Sequence, residues 1–137
     1  MAEARVEGEV AAAVSAVWEM LRDFGGLARW NSGMECSCDG SDVGAVREIK
    51  MGGAVIKERL EALDDTARSF SYSIIEGPIP VTGYLATVKL DDLGNGRTKV
   101  LWTSRFEPQG MPEADTVKLM ESIYNGGIKS LNRTLAT

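Results

Sequence analysis

The spacing of apolar positions changes character three times along the chain. Arg5 to Val10 alternates apolar and polar residues as a half-buried strand does, and from Ala11 to Leu21 the residues Val14, Val17, Trp18 and Leu21 recur at helical spacing on one stripe. Gly25-Gly26 interrupts this pattern, and a short second helix is predicted to follow and to end at Trp30 and Asn31. From Met34 to Phe106 period-two segments are separated by turn signals at Asp39-Gly40, Gly52-Gly53, Asp64-Asp65, Gly77-Pro78 and Gly94-Asn95-Gly96, which predicts six strands in a meander. Pro112 then starts a long helix with Glu113 and Asp115 in its first turn and Lys129 and Arg133 near its end, a charge order that suits the helix dipole. Val117, Met120, Tyr124, Ile128, Leu131 and Leu135 form its single apolar stripe.

Strand, two short helices, six strands and a long helix make an α+β plan. It predicts a seven-stranded antiparallel sheet curved around the C-terminal helix, with an internal cavity between them. No repeat, low-complexity tract or linker divides residues 1–137, so a single domain is expected. Gly126-Gly127 lies in mid-helix, where each glycine costs about 1 kcal/mol relative to alanine. The pair therefore predicts a bend or a close approach to whatever lies beneath.

Residues two apart in a strand share a face, so the inward set can be counted. Ile56, Glu58, Leu60 and Ala62 fall on one apolar face, which makes Glu58 a lone inward carboxylate. Arg47, Ile49 and Met51 are expected inside on the preceding strand, and Tyr84, Ala86, Val88 and Leu90 on a later one. Phe70, Tyr72 and Ile74, then Val100, Trp102, Ser104 and Phe106, complete the lining, with Met34, Cys36 and Cys38 beside them. An inward Arg47 is the natural partner of an inward Glu58 through charge-assisted hydrogen bonds. Such a pair is either structural or, with the Tyr84 phenol, a functional polar cluster; a bulge in either strand would carry one member out to solvent.

Composition narrows the chemistry. The 137 residues include no histidine, which removes Ser-His-Asp and Cys-His nucleophile systems, histidine-ligated zinc and a histidine proton shuttle. No metal and no cofactor are expected. Fifteen Lys plus Arg against 20 Asp plus Glu give a net charge of −5, without the basic footprint of a nucleic-acid partner. No apolar run approaches a membrane span, and Glu3 and Glu7 stand where a secretory signal needs a basic start and an apolar core, so a cytoplasmic location is expected. Cys36 and Cys38 read as two small reduced residues on an inward face rather than as a metal or redox site.

The chain resembles the START-related SRPBCC superfamily and, more narrowly, its polyketide cyclase/dehydrase-like, MxaD-type group. The resemblance rests on the order of Val17-Trp18-Glu19, Asp23-Phe24, Trp30, Gly44-Ala45-Val46-Arg47, Glu58 to Asp64, Tyr72-Ser73-Ile74, Pro80 to Tyr84 and the terminal Gly-Ile helix. It implies a helix-grip fold with an internal ligand cavity. Members bind lipids, hormones, polyketides or other hydrophobic molecules, and a minority catalyse reactions on them. One of those enzymes, lachrymatory factor synthase, uses an Arg, a Glu and a Tyr in its cavity. Its Gly-x-Val-Arg pattern is similar to Gly44 to Arg47, its Lys-Glu-x-Leu-x-Ala-Leu-Asp pattern to Lys57 to Asp64, and its Tyr before an Ala-Thr step to Tyr84. The surrounding loops differ. The superfamily's hormone receptors carry cavity-closing loops at places matching Met51 to Ala54 and Glu76 to Pro80, although their specific gate sequence is absent.

These readings lead to one principal expectation: binding of a small hydrophobic molecule such as a lipid or polyketide. Arg47, Glu58 and Tyr84 would hold its polar handle, within walls of Trp30, Ile49, Ile56, Leu60, Phe70, Tyr72, Ile74, Trp102, Tyr124 and Ile128. The alternative is a metal-free cyclase, dehydratase or isomerase, with Glu58 as acid or base, Tyr84 as relay and Arg47 stabilising negative charge. A third possibility is a module that chaperones another protein's cofactor or product.

Overall fold

The computed structural model describes residues 1–31 and 33–136. Strand β1 (Ala2–Val10) leads into helix α1 (Val14–Arg22), a 3-10 turn (Phe24–Gly26) and the one-turn helix α2 (Leu27–Trp30). Six strands follow: β2 (Glu35–Cys38), β3 (Val46–Met51), β4 (Ala54–Asp64), β5 (Ser69–Glu76), β6 (Val81–Gly94) and β7 (Arg97–Pro108). Helix α3 (Glu113–Leu135) closes the chain. The sheet runs β1-β7-β6-β5-β4-β3-β2 with every pair antiparallel, so the meander from β2 ends with β7 alongside β1, from Ala2 opposite Phe106 to Val10 opposite Thr98, and β1 and β2 are the edges. This is the seven-stranded α+β helix-grip architecture.

Strand parity follows the residue types wherever the ladder is uninterrupted. Tyr84, Ala86, Val88 and Leu90 on β6 and Val100, Trp102, Ser104 and Phe106 on β7 are buried on the concave face. On β4 the parity reverses after Leu60. A register shift between Leu60 and Ala62 turns Ala62 outward, so it is exposed, and brings half-buried Leu63 opposite buried Phe70. The expectation that Ala62 faces inward is therefore corrected by a β-bulge, which changes the phase of all residues beyond it.

Between β3 and β4 the turn is Gly52-Gly53, with φ of 54° and 89° between the paired Met51 and Ala54. Two successive positive φ values are what a tight I′-type hairpin requires, and glycine adopts them without steric cost. Small residues on the inner face of β1 let α3 come close to the sheet. A β-carbon at Gly8 would stand 3.0 Å from the Ile128 side chain. Asn132 fastens the same junction, accepting a hydrogen bond from the Ala11 amide and donating one to the Glu9 carbonyl, each at 2.8 Å.

Gly127 packs against Trp102 of β7; a β-carbon there would lie 2.8 Å from the indole. Gly126 faces open space, so only one glycine of the pair is required by a contact. Gly126→Ala is expected to stabilise by about 1 kcal/mol through helix propensity, whereas Gly127→Ala is expected to cost about 1–3 kcal/mol of overpacking before any propensity gain. Urea unfolding of the two variants checks the opposite signs.

Helix α1 is clamped to the turn after β4. Asp65 accepts hydrogen bonds from Trp18 Nε1 (2.8 Å) and from Arg22 Nε and Nη2 (2.7 and 3.1 Å). The Arg22 and Trp18 donors hold the Asp65 carboxyl below its usual 3.8. A depressed folded pKa contributes stability above the unfolded value and loses it as pH falls through the folded value. The stability gap between wild type and Asp65→Asn should thus be open at neutral pH and close below about pH 4, as read from urea midpoints across an acid series.

Candidate functional site

A cavity of about 90 Å³ lies between the concave sheet face and the middle of α3. The floor comes from alternate residues of β3, β4 and β5: Arg47 and Ile49, Ile56 and Glu58, and Phe70, Tyr72 and Ile74. Tyr84 and Trp102 extend it across β6 and β7, Trp30 of α2 closes one side, and Met120 and Tyr124 of α3 form the roof. Met51 and Ile123 line the cavity while remaining 38% and 39% exposed, which places the mouth between the β3–β4 turn and α3. The segment after β5 contributes Ile79 to the same rim.

Two of the expected wall residues are not in the lining. Leu60 points inward but is fully buried, its backbone bonded to Gly44 and Ala45, at a level of the sheet the cavity does not reach. Ile128 is turned onto β1 against Gly8, where it joins helix to sheet. Leu21, Leu27, Met120 and Ile123 line the cavity without having been singled out for it in the sequence. Helical spacing marks Leu21 and Met120 as buried, but not which buried side chains border empty space.

Arg47 and Glu58 are directly cross-strand neighbours in the β3–β4 register. Arg47 Nε and Nη2 donate to Glu58 Oε1 at 2.8 and 2.6 Å, and Nη1 donates to the Phe24 carbonyl at 3.1 Å. The guanidinium carbon lies 4.0 Å from the Phe24 ring centroid and 5.3 Å from that of Tyr72, so aromatic faces cover the cation. Both side chains are about nine-tenths buried, at 8% and 11% exposure. Glu58 Oε2 takes no hydrogen bond among the described residues, yet no fully buried side-chain oxygen or nitrogen there lacks a partner. Oε2 therefore keeps an accessible edge, and Glu58 lines the cavity.

The three-residue cluster expected from parity is divided in two. Tyr84 bonds not to Glu58 or Arg47 but to the hydroxyl of Tyr124, which donates in turn to Ser104 Oγ at 2.7 Å. With the Tyr124 proton directed to Ser104, Tyr84 is the donor of the first bond. A separate contact runs from Trp102 Nε1 to the Tyr72 hydroxyl at 3.1 Å; the Tyr72 proton has no acceptor among the described residues. Burial pushes the Tyr72 and Tyr84 phenols well above their ordinary value of 10 and Tyr124 up to about 12. All three are neutral hydrogen-bonding groups near pH 7.

Trp102 stacks on Tyr124 at 4.9 Å and 11°, and Phe70, Tyr72, Tyr84 and Phe106 continue as a ladder with centroids 6.0–6.2 Å apart. Cys36 and Cys38 are free and half-buried. Burial raises the Cys36 thiol above its usual 9.0, which keeps it protonated and a poor nucleophile. Among the described residues no group of three acidic, cysteine or histidine side chains is placed to hold a metal, and no helix is long and apolar enough to cross a membrane.

Comparison with known proteins agrees with this architecture. Abscisic acid receptors PYL6 and PYL2 of Arabidopsis thaliana are 28% and 26% identical to the chain over 90% and 88% of its length; the chain spans 64% and 70% of theirs. The solved structure of XoxI from Bacillus cereus superposes with a TM-score of 0.90 at 28% identity, covering 98% of this chain and 96% of that one. A Bacillus thuringiensis protein gives 0.88 at 28% identity, over 96% and 97% of the two chains. The family model for polyketide cyclase/dehydrase and lipid transport proteins matches residues 1–136, and the chain belongs to that family.

Proposed function

We propose that the chain is a cytoplasmic binding protein for a small, largely apolar molecule with one polar group, held between the sheet and α3. The observation that carries this reading is the combination of an aromatic and aliphatic cavity with a buried Arg47–Glu58 pair in its lining that leaves one carboxylate oxygen unpaired and accessible. A few fixed polar groups in an otherwise apolar concavity are the usual composition of a small-molecule site. The relatives named as receptors for abscisic acid support a small, largely apolar molecule as the ligand, without fixing its polar group. The two free thiols support a reducing compartment.

At about 90 Å³ the space is smaller than the ~150 Å³ apolar cavity that suffices for benzene. Entry of a ligand therefore requires the mouth to widen, and Met51 and Ile123 are the lining side chains with room to swing into solvent. Binding is favoured over proton-transfer catalysis because the Tyr84 phenol is committed to Tyr124 and the guanidinium to Glu58 and the Phe24 carbonyl. The test is to refold the purified protein from denaturant, offer it an apolar metabolite extract and weigh it by native mass spectrometry. One retained small molecule per chain is expected; repeated recovery of the bare protein mass would overturn the reading.

A further inference from the structure

We infer that the Arg47–Glu58 pair makes the cavity selective for uncharged apolar molecules that carry a hydrogen-bond donor such as a hydroxyl, and makes it reject carboxylates. This rests on the binding reading above and specifies the chemistry of the ligand.

The titratable side chains lining the cavity are Arg47, Glu58, Tyr72, Tyr84 and Tyr124, with no lysine among the described residues there. The phenols carry no charge near neutral pH, and the cation and the carboxylate cancel. Arg47 alone would be a natural receptor for an anionic head group. Here its Nε and Nη2 are directed to Glu58, its Nη1 to a main-chain carbonyl, and one face of its plane is covered by Phe24.

An entering carboxylate therefore meets a cation already neutralised by Glu58, with three of its five N–H donors engaged. It must lose its hydration and bury a net negative charge in return for hydrogen bonds alone, or displace Glu58 and leave that carboxylate buried and unpaired. A hydroxyl meets the opposite situation. Glu58 Oε2 is an ionised acceptor with an open edge, and the hydrogen bond it accepts is charge-assisted without any net charge being buried. The Tyr72 hydroxyl, whose own proton is uncommitted among the described residues, supplies a donor on the same wall.

Three probes of one shape separate these terms: 2-naphthol, 2-naphthoate and naphthalene, titrated at neutral pH into the ¹⁵N-labelled protein and followed by NMR. In the wild type, 2-naphthol should bind about tenfold more tightly than 2-naphthoate and more tightly than naphthalene. Glu58→Gln removes the counter-charge at nearly constant shape, and the ratio of naphthoate to naphthol affinity should move about tenfold towards naphthoate. Naphthoate binding as well as naphthol to the wild type, or naphthalene binding as well as naphthol, would overturn the selectivity. So would an unchanged ratio in a folded Glu58→Gln protein. If that variant does not fold, the wild-type series alone decides. Failure of all three probes to bind would instead overturn the binding reading itself.

Discussion

Arg47→Met is expected to lower the free energy of unfolding by about 3–5 kcal/mol, because it leaves the Glu58 carboxylate buried without its counter-charge. Among the described residues both hydrogen bonds to Glu58 Oε1 come from Arg47, so the loss is concentrated in one substitution. The double variant Arg47→Met, Glu58→Leu should recover most of it, since an apolar pair of similar volume replaces a buried ion pair at little cost or with a gain of about 1–4 kcal/mol. Urea unfolding of the single and double variants forms the cycle. A double variant as unstable as Arg47→Met would mean that the two residues do not act as a unit. The recovered protein would retain a cavity with no charged side chain in its lining, which separates the pair's part in ligand choice from its effect on folding.

Trp102→Ala should be comparably costly, about 3–5 kcal/mol, the range for truncating a buried large aromatic. The indole stacks on Tyr124, donates to Tyr72 and fills the space that Gly127 leaves beneath α3. Because Trp102 also lines the cavity, the void left by its removal joins space that is already present. The destabilised variant should therefore admit larger apolar molecules than the wild type and regain more stability from them, as linkage between ligand binding and folding requires. Thermal unfolding with and without saturating naphthalene measures this. A ligand-induced shift no greater in Trp102→Ala than in the wild type would contradict the placement of Trp102 at the cavity wall.

The sheet was legible where a stretch of strand keeps one period, even in β6, whose pairing with β7 shifts register near both ends. Tyr84 to Leu90 and Val100 to Phe106 alternate without interruption, and each inward residue named from parity is buried. Ala62 was misplaced because the bulge after Leu60 arises from how β4 pairs with β5, and a strand's own sequence carries no record of its partner's register. Arg47 and Glu58 could be matched because each is a lone charge on an apolar face of neighbouring strands. Tyr84 could be given a face but not a partner: parity says which way a side chain leaves the sheet, not which hydroxyl it reaches, and Tyr124 comes from an element 40 residues further along the chain. Ile128 shows the same limit for the helix. Its stripe marks it as buried, while the empty place at Gly8 decides that it meets β1 rather than the cavity.

Binding by this protein requires that a small apolar molecule enter between the sheet and α3. The most direct measurement is the map of backbone amide shifts on titrating the ¹⁵N-labelled protein with 2-naphthol. Saturation at one molecule per chain is expected, with the largest changes at Ile49, Tyr72, Ile123 and Gly127, and little change at Glu3, Thr87 and Thr103 on the outer sheet face. Saturable changes centred on that outer face, with the cavity residues unmoved, would contradict it.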